Sequence, residues 1–222
     1  MNDSGFQPSG ARRAALGCQS LDKLSLGQPL VELAEATSTN DVLRQMAVAG
    51  AAEGTTVVAL QQTRGRGRQH RPWHSPPGLG LYLSVLLRPP WPASESGALA
   101  LLAGVAVASA LKQLGVPDIR LKWPNDVLAG GRKICGVLVE PALKGGQIEF
   151  AVVGIGVNVL HGADDFPPEL RHTATSCALA GVTVTLAQAR VAVLAALDEG
   201  YRRALREGPA TLYAAWAGAV SS

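Results

Sequence analysis

The segment Gln62-Thr63-Arg64-Gly65-Arg66-Gly67-Arg68-Gln69-His70-Arg71-Pro72-Trp73 sets four arginines within eight positions, interleaved with two glycines. A stretch that basic is loop rather than core, because unpaired guanidinium groups are costly to bury. Its arginines present forked donors that match carboxylates and phosphates, and its glycines let the backbone approach a ligand closely. The chemistry such a pattern serves is closure over an anion. Trp73 follows the cations directly, and a flat aromatic surface beside phosphate-binding groups describes a nucleotide site. Taken alone, the run equally describes a solvated turn or an Arg-Gly tract that grips nucleic acid, and Trp73 a plug for the core.

A second candidate segment is Lys122-Trp123-Pro124-Asn125-Asp126. Proline ends a strand there, so Asn125 and Asp126 project from its tip. An amide and a carboxylate so placed can give oxygen ligands to Mg2+, which bridges to phosphates, or can form an Asx turn. Lys122 can offset phosphate charge. Arg132-Lys133-Ile134-Cys135-Gly136 puts a lysine at the mouth of an apolar strand, on the same side of a hairpin as Asp126. Gly154-Ile155-Gly156-Val157-Asn158 places two glycines at period two, which clears one face of a strand for a ligand or another backbone. Asn158 shares their parity. No helix follows, so this is not a dinucleotide fingerprint.

The elements that must hold these residues follow from periodicity and punctuation. Ser38 and Asp41, in capping-box spacing, start a helix whose apolar face is Val42, Leu43, Met46 and Ala47 and which Gly50 ends. Strands are expected over 55–60, 80–87, 119–123, 133–140 and 147–159. Ala129-Gly130-Gly131-Arg132 and Lys144-Gly145-Gly146 supply hairpin turns. Helices are expected over 98–114 and 186–207, the second with Thr185 as N-cap and Gly208 just past its end. Adjacent hairpins beside long helices give an α+β fold, a mixed and largely antiparallel central sheet with the long helices packed on one face.

At 222 residues, 47% hydrophobic and 17% charged, the chain can build one full core, and its net charge of +3 argues neither for nor against nucleic acid. Cys18, Cys135 and Cys177 are odd in number and far apart, which fits neither a disulfide framework nor a zinc site and suits a reducing cytosol. His70, His74, His161 and His172 are scattered, with no metal-site spacing. The N-terminus lacks the apolar core of a signal peptide, and the uncharged stretch 96–111 is too short for a membrane span, so it reads as a buried helix. A cytoplasmic protein with no membrane partner is the expectation.

In this order, Ser38-Thr39-Asn40, Gln62-Thr63, Gly65-Arg66-Gly67-Arg68, Arg71 and Trp73, Lys122 to Asp126, Lys133 with Gly136, and Gly154 to Asn158 resemble the catalytic domain of biotin protein ligases. The likeness runs from about Val31 to Glu207. It implies a class II aminoacyl-tRNA synthetase/biotin ligase-like catalytic domain over 26–210, a loosely ordered tail over 1–25, and a short remnant over 211–222 where a C-terminal domain would begin. It implies an ATP-dependent ligase. Biotin's carboxylate attacks the α-phosphate of Mg·ATP, giving biotinyl-5′-AMP and pyrophosphate, and a lysine of a biotin carboxyl carrier protein then displaces AMP.

By the same resemblance, Ser38, Thr39, Asn40 and Gln62 bind biotin's ureido ring, and Arg66, Gly67 and Arg68 form the loop over biotin and the adenylate. Lys133 contacts the biotin carboxylate and the α-phosphate, beside Gly136 in the biotin pocket. Arg68, Arg71, Trp73, Lys122, Asn125 and Asn158 serve the nucleotide, with Trp73 stacking near adenine. Asp126 serves Mg2+ and receives the incoming lysine's proton, so Lys133, Arg68 and Asp126 form the catalytic set.

Only a short aperiodic tail precedes the catalytic region, so the monofunctional type without a DNA-binding domain is expected, and no DNA partner. Many members of the family have glycine where His70 stands and a small residue where Arg64 stands, which bears on loop closure. A homodimer stays open. The alternatives are a lipoate- or octanoate-type acyl ligase or transferase of the same fold, and a non-catalytic nucleic-acid-binding module. The second needs aromatics interleaved with the cations, and Trp73 is the single one nearby.

Overall fold

The computed structural model describes residues 24–220 except Pro124. Cys18 and nearly all of the tail expected over 1–25 therefore lie outside the described residues. The last residue of that span, Ser25, is anchored rather than loose, together with Leu26 just after it. The Ser25 and Leu26 backbone N–H groups each donate to Asp198 Oδ1 at 3.0 Å, the Ser25 hydroxyl joins them, and Leu26 is buried.

Seven strands form one sheet in the order β1-β2-β3-β7-β6-β5-β4. They are β1 (Leu30–Ala36), β2 (Thr56–Gln62), β3 (Gly80–Leu87), β4 (Ile119–Lys122), β5 (Asp126–Ala129), β6 (Arg132–Lys144) and β7 (Gln147–Asn158). β1 runs parallel to β2, and every other pairing is antiparallel. Two features depart from the sequence expectation. β1 was not anticipated, and the Gly130-Gly131 turn joins β5 to β6, with β4 paired back on β5 as a separate short hairpin. Both glycines have positive φ, 54° and 75°, which a two-residue turn of the primed kind demands.

Strand parity decides which side chain meets which layer. Leu83, Val85 and Leu87 of β3, Cys135, Val137 and Val139 of β6, and Val153, Ile155 and Val157 of β7 enter one continuous core. Against that face lie α2 (Ser96–Gln113) and α3 (Leu186–Glu207). α2 is apolar nearly all round because it is buried nearly all round, which also explains why it is long and apolar enough to pass for a membrane span. α3 starts as the sequence predicts. Gln188 N–H donates to Thr185 Oγ1 at 3.1 Å, Thr185 N–H donates to Gln188 Oε1 at 2.9 Å, and Gly208 leaves the helix at φ 92°.

The segment expected as a remnant after 210 is instead a helix, α4 (Ala210–Val220), whose Leu212 and Trp216 belong to the same core. No packing boundary falls at 210. The remaining helix, α1 (Thr39–Val48), covers part of the opposite face through Leu43 and Ala47, against Val57, Leu86, Phe150 and Val152. The capping box expected there does not form. Ser38 occupies the N-cap position without a side-chain cap bond, and the Asp41 side chain is held by Arg66.

Candidate functional site

Where α1 stops covering the sheet, the exposed face is floored by Gly136, Gly154 and Gly156, and the segment 63–73 closes over it. The cleft between them is about 730 Å³, within the range of small-molecule sites. The glycines are needed for close approach. A Cβ on Gly156 would lie 2.5 Å from Trp73 Nε1, and one on Gly154 would collide with the Asn40 side-chain amide. The cleared strand face expected from the period-two glycines is therefore filled by Asn40 and Trp73, two of the predicted site residues.

One end of the cavity is neutral and hydrogen-bonding. Ser38, Thr39 and Asn40 are buried at the start of α1. Thr39 N–H donates to Gln62 Oε1 at 2.9 Å, and Gln62 Nε2 donates to Ser75 Oγ at 3.0 Å, at the end of the loop. Ser84 Oγ lies 2.7 Å from Thr39 Oγ1 and 2.6 Å from Asn40 Oδ1. Asn40 Nδ2 donates to Glu140 Oε2 at 2.7 Å. Ser84 and Glu140 were not anticipated. The signal for each was a polar residue inside a strand of apolar neighbours.

The charged groups are not equivalent. Lys133 Nζ sits 2.6 Å from Asp126 Oδ1, which fulfils the expectation that the two share one side of the hairpin. Arg66 is bound bidentately by Asp41, at 2.7 and 2.6 Å, and reaches Glu140 at 3.3 Å. The hydrogen bonds to Asp41 raise the Arg66 pKa above its ordinary value, burial opposes, and Glu140 adds to the rise. Arg68 has no carboxylate partner among the described residues. Its guanidinium donates to the neutral Asn125 Oδ1 at 3.3 Å, which leaves its charge available to an anion. Lys122 and Arg71 line the same cavity.

Three expected roles meet a different geometry. Trp73 lies across the glycine floor, with Lys133 Nζ 5.4 Å from its ring centroid and Nε1 without a hydrogen-bond partner. Asn125 is engaged structurally, Nδ2 donating to the Val137 carbonyl at 2.7 Å. Asn158 Nδ2 donates to the Thr175 carbonyl at 2.9 Å, pinning the segment after β7.

That segment supplies the far wall with Phe166, Leu170, His172 and Thr173, none of them anticipated. Its packing rests on His161, fully buried, stacked on Phe166 at 4.9 Å and with both ring nitrogens unpartnered. Burial first, and the neighbouring His74 second, push the His161 pKa down to about 4 against the pull of Asp165. Among the described residues, the thiols of Cys135 and Cys177 are buried and not poised as nucleophiles. Burial pushes Cys135 up, and Cys177 up to about 11.

The model of the biotin/lipoate A/B protein ligase family matches residues 33–158, which spans every predicted site residue. The bifunctional ligase/repressor BirA of Bacillus spizizenii is 36% identical over 192 residues, covering 86% of this chain and 59% of that protein. The biotin--[acetyl-CoA-carboxylase] ligase of Mycobacterium tuberculosis is 39% identical over 142 residues, covering 62% of this chain and 52% of that one. The chain thus spans less than two thirds of the length of these curated relatives. Among solved structures, the biotin protein ligase of Aquifex aeolicus in complex with biotin and ATP superimposes with a TM-score of 0.69 at 33% identity, covering 82% of this chain and 74% of that one.

Proposed function

The chain belongs to the biotin/lipoate A/B protein ligase family, and from that premise we propose that it activates biotin with ATP and transfers it to a lysine of a biotin carboxyl carrier domain. One observation carries the reading. A single cavity joins a neutral hydrogen-bonding end, Thr39, Asn40 and Gln62, to a cationic end where Lys133 and the uncompensated Arg68 face inward. The first end suits a ureido ring, and the second suits a carboxylate meeting a phosphate.

Two anions must be brought together in the first step, and positioning plus charge stabilisation supply most of what is required. In this reading Lys133 and Arg68 draw the biotin carboxylate and the α-phosphate into contact. A carboxylate oxygen attacks the α-phosphorus, and pyrophosphate leaves with the electron pair of the broken P–O bond. Arg68 and Gly67 then cover the mixed anhydride against water. In the second step the acceptor amine attacks the acyl carbon, its proton passes to the Asp126 carboxylate, and AMP departs.

Mg2+ enters this proposal as the counter-ion of ATP. Among the described residues no three His, Cys, Asp or Glu side chains cluster as a metal cage, and Asp126 is already paired with Lys133. Such a donor set fits an ion carried by the nucleotide's own phosphates with one protein carboxylate, Asp126, and the ion would offset phosphate charge. Arg71, Lys122 and Asn158 are proposed on the nucleotide side, and Ser38 and Gly136 on the biotin side. The cytoplasm is the proposed compartment, in keeping with the free thiols of Cys135 and Cys177.

The test is incubation with radiolabelled biotin, Mg·ATP and a biotin carrier domain, following label on the carrier. ATP-dependent labelling that disappears in Lys133→Ala is the expected result. Labelling by lipoate in preference to biotin would move the chain to the other branch of its family, and no labelling by either would overturn the reading.

A further inference from the structure

Arg66 occupies the middle of the basic loop, yet its charge is spent inside the protein. Asp41 grips both its terminal nitrogens from α1, and Glu140 approaches from β6 at 3.3 Å. The loop is otherwise fastened by backbone bonds at its base, Thr63 and Arg64 N–H to the Ala36 and Thr37 carbonyls and Trp73 N–H to Gly65, and by the longer bond from Arg68 to Asn125 at 3.3 Å. At its tip Gln69 stands at φ 55°, a left-handed conformation uncommon outside glycine. A loop turned through such a residue needs outside support, and Arg66 is the side chain of the loop that reaches carboxylates.

Glu140 does a second thing. Its other hydrogen bond is to Asn40, from which contacts run through Ser84, Thr39 and Gln62 to Ser75, just beyond the loop's far end. Both ends of the loop are thereby tied to one buried polar chain, and that chain is the neutral end of the cavity.

We propose that Asp41 and Glu140 are positioning residues that latch the arginine loop shut through Arg66, and that Glu140 couples the latch to the ligand-binding amide of Asn40. Arg66 fixes the loop, and Arg68, two residues on and without a carboxylate, meets the ligand's charge. A ligand that orders Asn40 also orders Glu140, and so favours the closed loop. The coupling to ligand rests on the biotin reading above, whereas the latch does not.

Limited trypsinolysis separates the two. Arg64, Arg66 and Arg68 are cleavable, while Arg71 is protected by Pro72. Without ligand, Glu140→Gln and Asp41→Asn are expected to speed cutting within 64–68 by about fivefold or more, since cleavage follows the open population. Cutting elsewhere and the melting temperature should stay as in wild type, which distinguishes a loosened loop from a weakened fold. Because both carboxylates act through Arg66, Arg66→Met combined with Glu140→Gln should be cut at Arg64 and Arg68 no faster than Arg66→Met alone. Wild-type cutting rates in both single variants, or additive effects in the double, would overturn the latch.

Biotin should slow loop cutting in wild type and do so less in Glu140→Gln, with biotin KM raised and kcat at saturating biotin within about twofold. Equal protection of both proteins would overturn the coupling. A wild-type protein that biotin neither protects nor is bound by would refute the biotin reading, and the ligand-free comparison would still decide the latch.

Discussion

The two faces of the sheet are built from alternate residues of the same strands, and they do opposite things. On β7, Val153, Ile155 and Val157 enter the core beneath α2 and α3, while Gly154, Gly156 and Asn158 face the cavity. On β3, Leu83 and Val85 go one way and Ser84 the other. The helix face is continuous aliphatic packing. The ligand face is glycine, amide and hydroxyl, covered only in part by α1. Stability and chemistry are thus divided by strand parity, one residue apart along the chain.

The sharpest way to break this division is Lys133→Ala. Removing the cation from the ligand face should lower the rate of adenylate formation about 10²- to 10³-fold, the cost of losing one preorganised group at developing charge. The melting temperature should move little, because Lys133 is partly solvent-exposed and its partner Asp126 can be solvated. Single-turnover formation of biotinyl-AMP and a thermal melt check both halves. A large drop in melting temperature would mean that the Lys133–Asp126 pair supports the fold, and the two faces would not be separable.

The converse substitution is Leu111→Ala in α2, where the side chain is fully buried in the helix-face core. It should cost about 3 kcal/mol, lost transfer energy plus the cavity left behind. That is roughly 6–12 °C in melting temperature for a domain of this size. Biotin affinity measured by calorimetry well below the melt should be unchanged. Loss of affinity on the same scale would show strain passing through the sheet.

How legible each face was in the sequence differs for the same reason. The helix face announces itself, since apolar runs such as 80–87 and 98–114 can only be buried. The ligand face was legible where a residue was out of keeping with its element: arginines in a glycine loop, a lysine opening an apolar strand, glycines at period two. It was illegible where function depends on pairing across the fold. Asp41 reads as a helix cap in sequence, and only the approach of Arg66, 25 positions on, shows otherwise. Trp73 reads either as a stacking surface or as a core plug, and only the structure shows the floor opened by Gly136 and Gly156 on which it lies. β1 and α4 escaped because one is a parallel strand with half-exposed residues and the other is an Ala-rich segment without a cap signal.

The cavity's far wall packs on His161, a buried side chain stacked against Phe166, and pH tests that support. The folded state holds the ring neutral with its pKa near 4, against an ordinary value of 6.5 in the unfolded chain. Because the unfolded chain takes up the proton first, this contribution is fully present above about pH 6.5 and is lost as the pH falls toward about 4. At pH 5 wild type should have lost about 2 kcal/mol more than His161→Phe, relative to each protein at pH 7. Urea unfolding at the two pH values gives the comparison, and parallel losses in the two proteins would exclude His161 as the source.

The smallest effect bears most directly on what divides the faces, because it compares two hydroxyls at two helix starts. Thr185 caps α3 with its side chain, accepting from Gln188 N–H, and α3 packs on the helix face. Ser38 stands at the same position before α1 but makes no side-chain cap bond, and it lines the cavity. By propensity alone the two would be worth the same. The geometry says that Thr185→Ala should cost about 1 kcal/mol of folding stability with ligand affinity intact. Ser38→Ala should leave the denaturation midpoint within error and weaken biotin binding instead. A destabilised Ser38→Ala with unchanged affinity would return Ser38 to the role its sequence position suggests, a helix cap, and would remove it from the ligand face.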